Sequence, residues 1–183
     1  MATTFQDKNA KQTILMHGIS VWFKFKKLYN YLQYSNTDYA YPLPFWINEH
    51  KQNILPILEK HIKDIQIYLI YHDCGKPFCL SEDDKGQHFT NHSAMSKKTF
   101  LQYSHNQFIA TLISNDMLCH TTKAKDYENI INTPNIEILL CSALAELHSN
   151  ALMFGGFQSD SFKIKFKNLS KLGSRILNDQ FNK

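Results

Sequence analysis

The chain has 183 residues, 43% apolar and 13% aromatic, with a net charge of +4. This is a globular composition, long enough to bury the core of one domain, and it excludes a disordered or fibrous chain. No apolar run approaches the length of a membrane span and no apolar leader opens the sequence, so the expectation is a cytoplasmic protein with no membrane partner and a mild preference for anionic ones.

Six glycines and little strand-like alternation point to a mostly helical chain. Cys74, Cys79, Cys119 and Cys141 form neither a CxxC pair nor a zinc-finger spacing and read as reduced thiols. The nine histidines are worth following, because imidazole is the commonest metal ligand.

Residues 1–12 are polar and read as a flexible N-terminus. From about Thr13 to Tyr34, Ile14, Val21, Trp22, Phe25, Leu28 and Leu32 form a helical stripe that contains His17. A lone histidine in such a stripe is ordinarily a satisfied core residue. Ser35 to Phe45, with Pro42 and Pro44, reads as an extended loop. Helices are expected at about Ile54–Asp64 and Ile65–Asp73, with His50 and His61 on the surface among Lys and Glu.

The second of these helices runs into His72-Asp73-Cys74-Gly75-Lys76-Pro77. Neighbouring positions lie about 100° apart on a helix, so His72 and Asp73 cannot share a helical face. They can converge on one ion if the helix ends there, as Gly75 and Pro77 indicate. Imidazole nitrogen with carboxylate oxygen suits a borderline divalent metal, and Lys76 sets a cation beside it. The plainer alternative is a helix C-terminus with His72 on the dipole and Asp73 solvated.

Cys79 to Gly86 reads as an acidic loop, followed by a helix from His92 to about Tyr103 capped by Thr90 or Asn91, with His92 facing inward. Ser104 is expected to cap a helix from Asn106 to Cys119, on whose face Asp116 and His120 stand four apart, as ligands or as a simple ion pair. Thr121 to Asn132 is polar and basic, the pattern of a mobile flap. Thr133-Pro134 reads as N-cap and first helical residue of a strongly apolar helix reaching Met153.

Glu146 in that apolar helix is costly unless paired or bound to a metal. Glu146 and Asn150 share a face, while His148 points elsewhere. After Gly155-Gly156, the segment from Phe162 fits a helical stripe better than a strand, with Ser159 or Ser161 at its start. Its Lys163 and Lys165, interleaved with Phe162 and Phe166, could bind phosphates and stack bases, or form a solvated basic face.

In the order His17-Gly-Ile-Ser-Val21, His72-Asp73-Cys-Gly75-Lys76 and His92-Ser-Ala-Met-Ser96, the sequence resembles the HD-domain superfamily of metal-dependent phosphohydrolases over roughly residues 13–155. The resemblance implies an all-α fold, a single compact HD-like helical bundle around a site for one or two divalent metals (Mn, Fe, Co, Ni, Zn or Mg). Residues 156–183 would be a basic amphipathic helix packed on the same domain. It implies a first metal site of His17, His72, Asp73 and a late acidic residue. Glu146 stands where the family pattern has Asp, and Asp116 is the other candidate. His92 and His120 resemble the extra histidines of binuclear members.

The implied activity is hydrolysis of a nucleotide or nucleic-acid phosphate ester, by a phosphatase or phosphodiesterase. Asp73 would ligate the metal and orient water, and Lys76 would stabilise the developing charge. Lys76, Lys163 and Lys165 would bind substrate. The rival expectation is a degenerate HD fold that binds a nucleotide or a protein partner without turnover. Glu146 in the Asp position argues for it, and the joint presence of His17, His72, Asp73 and Lys76 argues against it. A structural-zinc protein is disfavoured by the scattered cysteines.

Overall fold

The fold was obtained as a computed structural model, which describes residues 4–7, 12–34, 39–84 and 86–182. Residues 1–3 and 8–11 of the expected N-terminal tail, and 35–38 of the expected loop, lie outside the described residues. The described chain is mostly helical, with eight α-helices and two small antiparallel hairpins, and none of these helices is long and apolar enough to cross a membrane. It forms two compact units, the first from Met1–Trp22 and Lys63–Met117, the second from Phe23–Ile62 and Leu118–Lys183.

The first unit opens with β1 (Phe5–Asp7) paired to β2 (Gln12–Thr13), which leads into α1 (Ile14–Tyr34). The later part of α3 (Lys51–Tyr71) lies against the start of α1 at Gly18. A Cβ on Gly18 would stand 2.3 Å from the Ile70 carbonyl oxygen, so only hydrogen fits there. The core around this contact is Ile14, Val21, Ile65, Tyr68, Leu69, Phe100, Ile109, Leu112 and Ile113.

α3 is one helix where two were expected. Pro56 lies inside it and removes one N–H from the ladder, a cost of about 3 kcal/mol in a helix interior. Burial of Ile54, Leu58, Ile65 and Leu69 along one stripe outweighs that loss.

The expected acidic loop is instead a hairpin, β3 (Leu80–Asp83) with β4 (Gly86–Phe89), in register Leu80↔Phe89 to Asp83↔Gly86. Gly86 takes φ +118, which closes the turn, and His88 Nε2 lies 2.8 Å from Asp83 Oδ1.

α4 (His92–Leu101) starts at Asn91, which adopts a left-handed conformation (φ 56) and gives no side-chain cap. α5 (Gln107–Asn115) is capped by Asn106, not by Ser104: Asn106 Oδ1 accepts from Ile109 N at 3.1 Å, and Asn106 Nδ2 donates to Asp64 Oδ1 at 3.1 Å. α5 stops at Asn115, because Asp116 N turns to the Ile113 carbonyl in a tightened turn and Ser114 Oγ bonds back to the Thr111 carbonyl. α6 (Leu118–Thr121) is a separate helix, so Asp116 and His120 do not share a helix face as expected.

In the second unit, α2 (Phe45–Glu49), α7 (Ile136–Ser149) and α8 (Asp160–Phe181) pack around Phe25, Leu28, Trp46, Leu140, Leu144, Phe162, Leu172 and Ile176. A Cβ on Gly173 would stand 2.4 Å from Trp46 Nε1, which fixes how closely α8 meets α2. The terminal segment is helical as expected, and Ser159 Oγ caps it by accepting from Phe162 N at 3.2 Å.

α7 begins at Ile136 rather than at the Thr133-Pro134 signal, because Asn135 adopts φ 60 and the chain is still turning through Ile130–Thr133. It ends at Ser149 and passes into a short 3₁₀ segment, Ala151–Phe154.

The expected flap contains a 3₁₀ segment, Ala124–Asn129, tied to α8 where Arg175 Nη1 donates to the Ala124 carbonyl at 2.8 Å. His50, expected on the surface, is buried, and its Nε2–H donates to Asn178 Oδ1 at 2.7 Å.

Candidate metal centre

The centre lies in the first unit, where α3 ends at Tyr71 and the chain turns through His72–Gly75 into a 3₁₀ segment, Lys76–Phe78. Turn bonds from Cys74 N to the Tyr71 carbonyl (2.9 Å) and from Lys76 N to the Asp73 carbonyl (3.0 Å) replace the helix ladder. That departure lets adjacent His72 and Asp73 face one another.

α4 pins the turn. Gly75 N donates to Ser96 Oγ at 2.9 Å, the Cys74 thiol donates to the Ser96 carbonyl at 3.3 Å, and a Cβ on Gly75 would stand 2.2 Å from Ser96 N. α4 also carries His92 at its first position, so the same contact sets His92 opposite Asp73.

Asp73 is the focus. Its Oδ2 lies 2.6 Å from Lys76 Nζ, 3.3 Å from His72 Nε2 and 3.9 Å from His17 Nε2, and its Oδ1 lies 3.6 Å from His92 Nε2. The His17 and His72 rings are 5.4 Å apart. His17, His72, Asp73 and Lys76 are all buried. Burial pushes the Asp73 carboxyl up, but the positive charges of His72 and Lys76, with the His72 hydrogen bond and the His17 charge, outweigh it and hold the group well below the usual carboxylate range.

His72 Nδ1–H donates to the Leu69 carbonyl at 2.8 Å, and His92 Nδ1–H donates to the Phe89 carbonyl at 3.0 Å. Each ring therefore has its Nδ1 proton committed to a backbone carbonyl three residues upstream and turns Nε2 toward the same carboxylate. That is the outer-sphere arrangement of metal-ligating histidines. The space between each Nε2 and Asp73 is filled either by a second proton on the ring or by a metal ion. Asp73 Oδ1 is buried and accepts no hydrogen bond among the described residues, as suits an oxygen with a ligand position to fill. Imidazole nitrogens and an ionised carboxylate are donor types that suit a divalent ion.

The Asp116 carboxylate accepts the Tyr68 hydroxyl, whose ring meets His72 edge-on at 6.4 Å, so Asp116 is linked to His72 through Tyr68. The i, i+4 spacing of Tyr68 and His72 is the sequence signal for this link. His120 and Glu146 lie in the second unit, where His120 Nε2 is 2.9 Å from Glu146 Oε2 and the Asn150 amide donates to Glu146 Oε1 at 3.4 Å. Lys163 and Lys165 are exposed on α8 of the second unit. His88 belongs to the β3–β4 hairpin.

Burial, and then the Asp73 charge, push the Cys74 thiol up to about 11, so it is no thiolate nucleophile at neutral pH. A cavity of about 520 Å³ opens beside the turn, lined by Tyr71, Cys74, Pro77, Phe78, Phe100 and Tyr103 among others; none of the donors around Asp73 lines it.

Comparison with family models, curated proteins and solved structures finds no match for the chain.

Proposed function

We propose that the protein is a metal-dependent phosphohydrolase acting on a nucleotide or nucleic-acid phosphate ester, with one divalent ion held by His17, His72, Asp73 and His92. The observation that carries this reading is the pair of carbonyl-clamped histidines, His72 and His92, aimed at opposite oxygens of one buried, ionised carboxylate.

A divalent ion in such a site supplies Lewis acidity, which activates water at neutral pH and offsets phosphoryl charge. The chain's own residues do the rest. The Leu69 and Phe89 carbonyls fix the two imidazoles, so their donors need no reorganisation. Asp73 would help hold the ion with its carboxylate, and its Oδ2 anchors Lys76. Lys76 Nζ, 2.6 Å from Asp73 Oδ2 and 5.3 Å from the Phe89 ring, is held as an oriented cation, able to stabilise charge as it builds on the phosphoryl oxygens. The net charge of +4 favours the approach of an anionic ester.

A second reading, an HD-like binding module without turnover, draws support from Glu146. That residue is engaged by His120 and Asn150. Elemental analysis of the purified protein, with turnover of bis-p-nitrophenyl phosphate and p-nitrophenyl phosphate under added Mn, Ni, Co and Mg, separates the two. Bound metal and hydrolysis that are both lost in His72→Ala/Asp73→Ala are the expected result. Metal without turnover of any ester, nucleotides included, selects the binding module. Neither metal nor turnover refutes the hydrolase and leaves the binding module.

A further inference from the structure

The cavity beside the turn has a lining that the Asp73 centre does not use. Its volume of about 520 Å³ falls in the range of small-molecule sites. Tyr71, Cys74, Pro77 and Phe78 reach it from the end of α3 and the turn that follows, and Thr99, Phe100, Tyr103 and Ser104 from the end of α4 and just beyond. All eight belong to the first unit. Both segments are held in place. Gly75 and Cys74 are bonded to Ser96 of α4, and the N–H groups of Tyr103 and Ser104 each donate to the Phe100 carbonyl at 3.0 Å. The cavity is therefore formed before any ligand arrives, which spares a ligand the cost of ordering it.

Four of the lining side chains are aromatic, and no Leu, Ile, Val or Met is among them. Phe78 is 67% exposed and Tyr103 87%, with Tyr71 at 42%. Among the described residues, none of these three rings stacks on another ring. Large rings left open around one cavity are the kind of exposed apolar surface that marks a binding site. No charged side chain lines the cavity, so nothing in it offsets the charge of a phosphate or carboxylate. Four lining side chains carry hydroxyls: Tyr71, Thr99, Tyr103 and Ser104. Ser104 Oγ accepts from Asn106 N at 3.3 Å and keeps its own proton to donate.

We propose that the cavity binds a nucleoside: a planar base stacked on the open rings, its polar edges and its sugar met by the hydroxyls. The competing occupant is an aliphatic one, an acyl chain or an apolar side chain of a partner protein. It would gain by leaving water but would leave the ring faces and hydroxyls unused, and the lining offers it no branched aliphatic neighbour. The site is distinct from the metal centre, because none of His17, His72, Asp73, Lys76 and His92 lines it. The inference needs neither metal nor turnover and stands apart from the hydrolase reading.

Equilibrium dialysis of the full chain against adenosine, guanosine, cytidine and uridine, with octanol as an aliphatic competitor, tests the proposal. Saturable binding of at least one nucleoside, not displaced by octanol, is expected. Phe78→Leu and Tyr103→Leu keep an apolar side chain but remove the ring, and each should weaken binding about tenfold. Both positions are exposed, so melting of the variants should match the parent. Asp73→Asn/Lys76→Met should bind the nucleoside as the parent does, with His92→Gln in its place if that variant misfolds. No saturable binding of any nucleoside overturns the proposal, as does displacement by octanol or binding indifferent to the loss of both rings. Loss of binding in the metal-centre variants alone overturns it too, since the nucleoside then sits at Asp73. Bound metal and ester turnover test the hydrolase separately.

Discussion

Gly18→Ala tests the link between helix packing and the metal centre. A Cβ at position 18 would stand 2.3 Å from the Ile70 oxygen and 2.9 Å from both the Ile70 carbon and the Leu69 oxygen, all backbone atoms, where ordinary contact begins at 3.4 Å. In the first unit, α1 and the end of α3 must then separate by about 1 Å, an overpacking strain of about 1–3 kcal/mol. Alanine recovers about 1 kcal/mol of that through its better helix propensity. The net loss is about 0–2 kcal/mol, which lowers the melting temperature by up to several degrees, at roughly 2–4 °C per kcal/mol for a chain of this size.

The Leu69 carbonyl is also the acceptor that holds His72 Nδ1, and His17 adjoins the substituted residue. Metal affinity should therefore fall about 10–100-fold, the usual consequence of disturbing outer-sphere partners. Thermal melting and metal titration of the variant measure both effects. Gly173→Ala is the comparator: it strains the Trp46 contact in the second unit and should lower the melting temperature without changing metal affinity. A Gly18→Ala protein that melts and binds metal like the parent would refute the argument.

His148 makes stability sensitive to acid. In the neutral ring Nε2–H donates to the Pro42 carbonyl at 3.0 Å and Nδ1 accepts the Tyr39 hydroxyl at 3.1 Å. Burial first, and then the Lys24 charge, outweigh the Pro42 bond and push its pKa down from 6.5 to about 4. The unfolded chain takes up this proton first as pH falls. The associated stability is thus complete above about pH 6.5 and is lost by about pH 4, a loss of ~3 kcal/mol. Urea unfolding at the two ends of that window should show the slope, and His148→Gln should flatten it. Ser96→Ala leaves the buried Gly75 N–H without its acceptor and should cost about 1–3 kcal/mol in the same assay, with a lower metal affinity.

The sequence was most legible where one residue type has one strong use. The pairing of Gly75 and Pro77 announced the helix end that lets His72 and Asp73 face each other, and a helical stripe against a short alternation placed α8. Caps were harder to assign, because side chains such as Ser104 and Thr133 signal a helix start only if the backbone there turns favourably. Asn106 and a left-handed Asn135 took those starts instead. The β3–β4 hairpin was hidden because its stability comes from the Gly86 turn and pairing to Phe89, not from β-branched residues. Asp116 and His120 are four apart in sequence, but that spacing holds only within an unbroken helix, and the break at Asp116 follows from local bonds at Ser114 and Ile113. His50 looked like a surface residue beside Glu49 and Lys51 because its partner, Asn178, is remote in sequence.

On the proposed hydrolase function, the charges around Asp73 serve a reaction rather than the fold. A buried ion pair rarely stabilises a protein relative to apolar residues of similar volume, because taking both charges out of water costs more than their attraction returns. Asp73 and Lys76 are both buried, at 1% and 6% exposure, so each is expensive to keep where it is. Asp73→Ala alone leaves the lysine without its carboxylate and should cost about 3–5 kcal/mol. Asp73→Asn/Lys76→Met, which removes both charges at similar volume, should recover most of that loss and unfold at a urea concentration close to that of the parent, or higher. It should also have lost bound metal and ester hydrolysis. If the double variant is as unstable as the single one, the pair is a structural element and its retention says nothing about catalysis. A double variant that is stable yet inert would mean that the fold carries these two charges at a cost only a bound ion and its substrate account for.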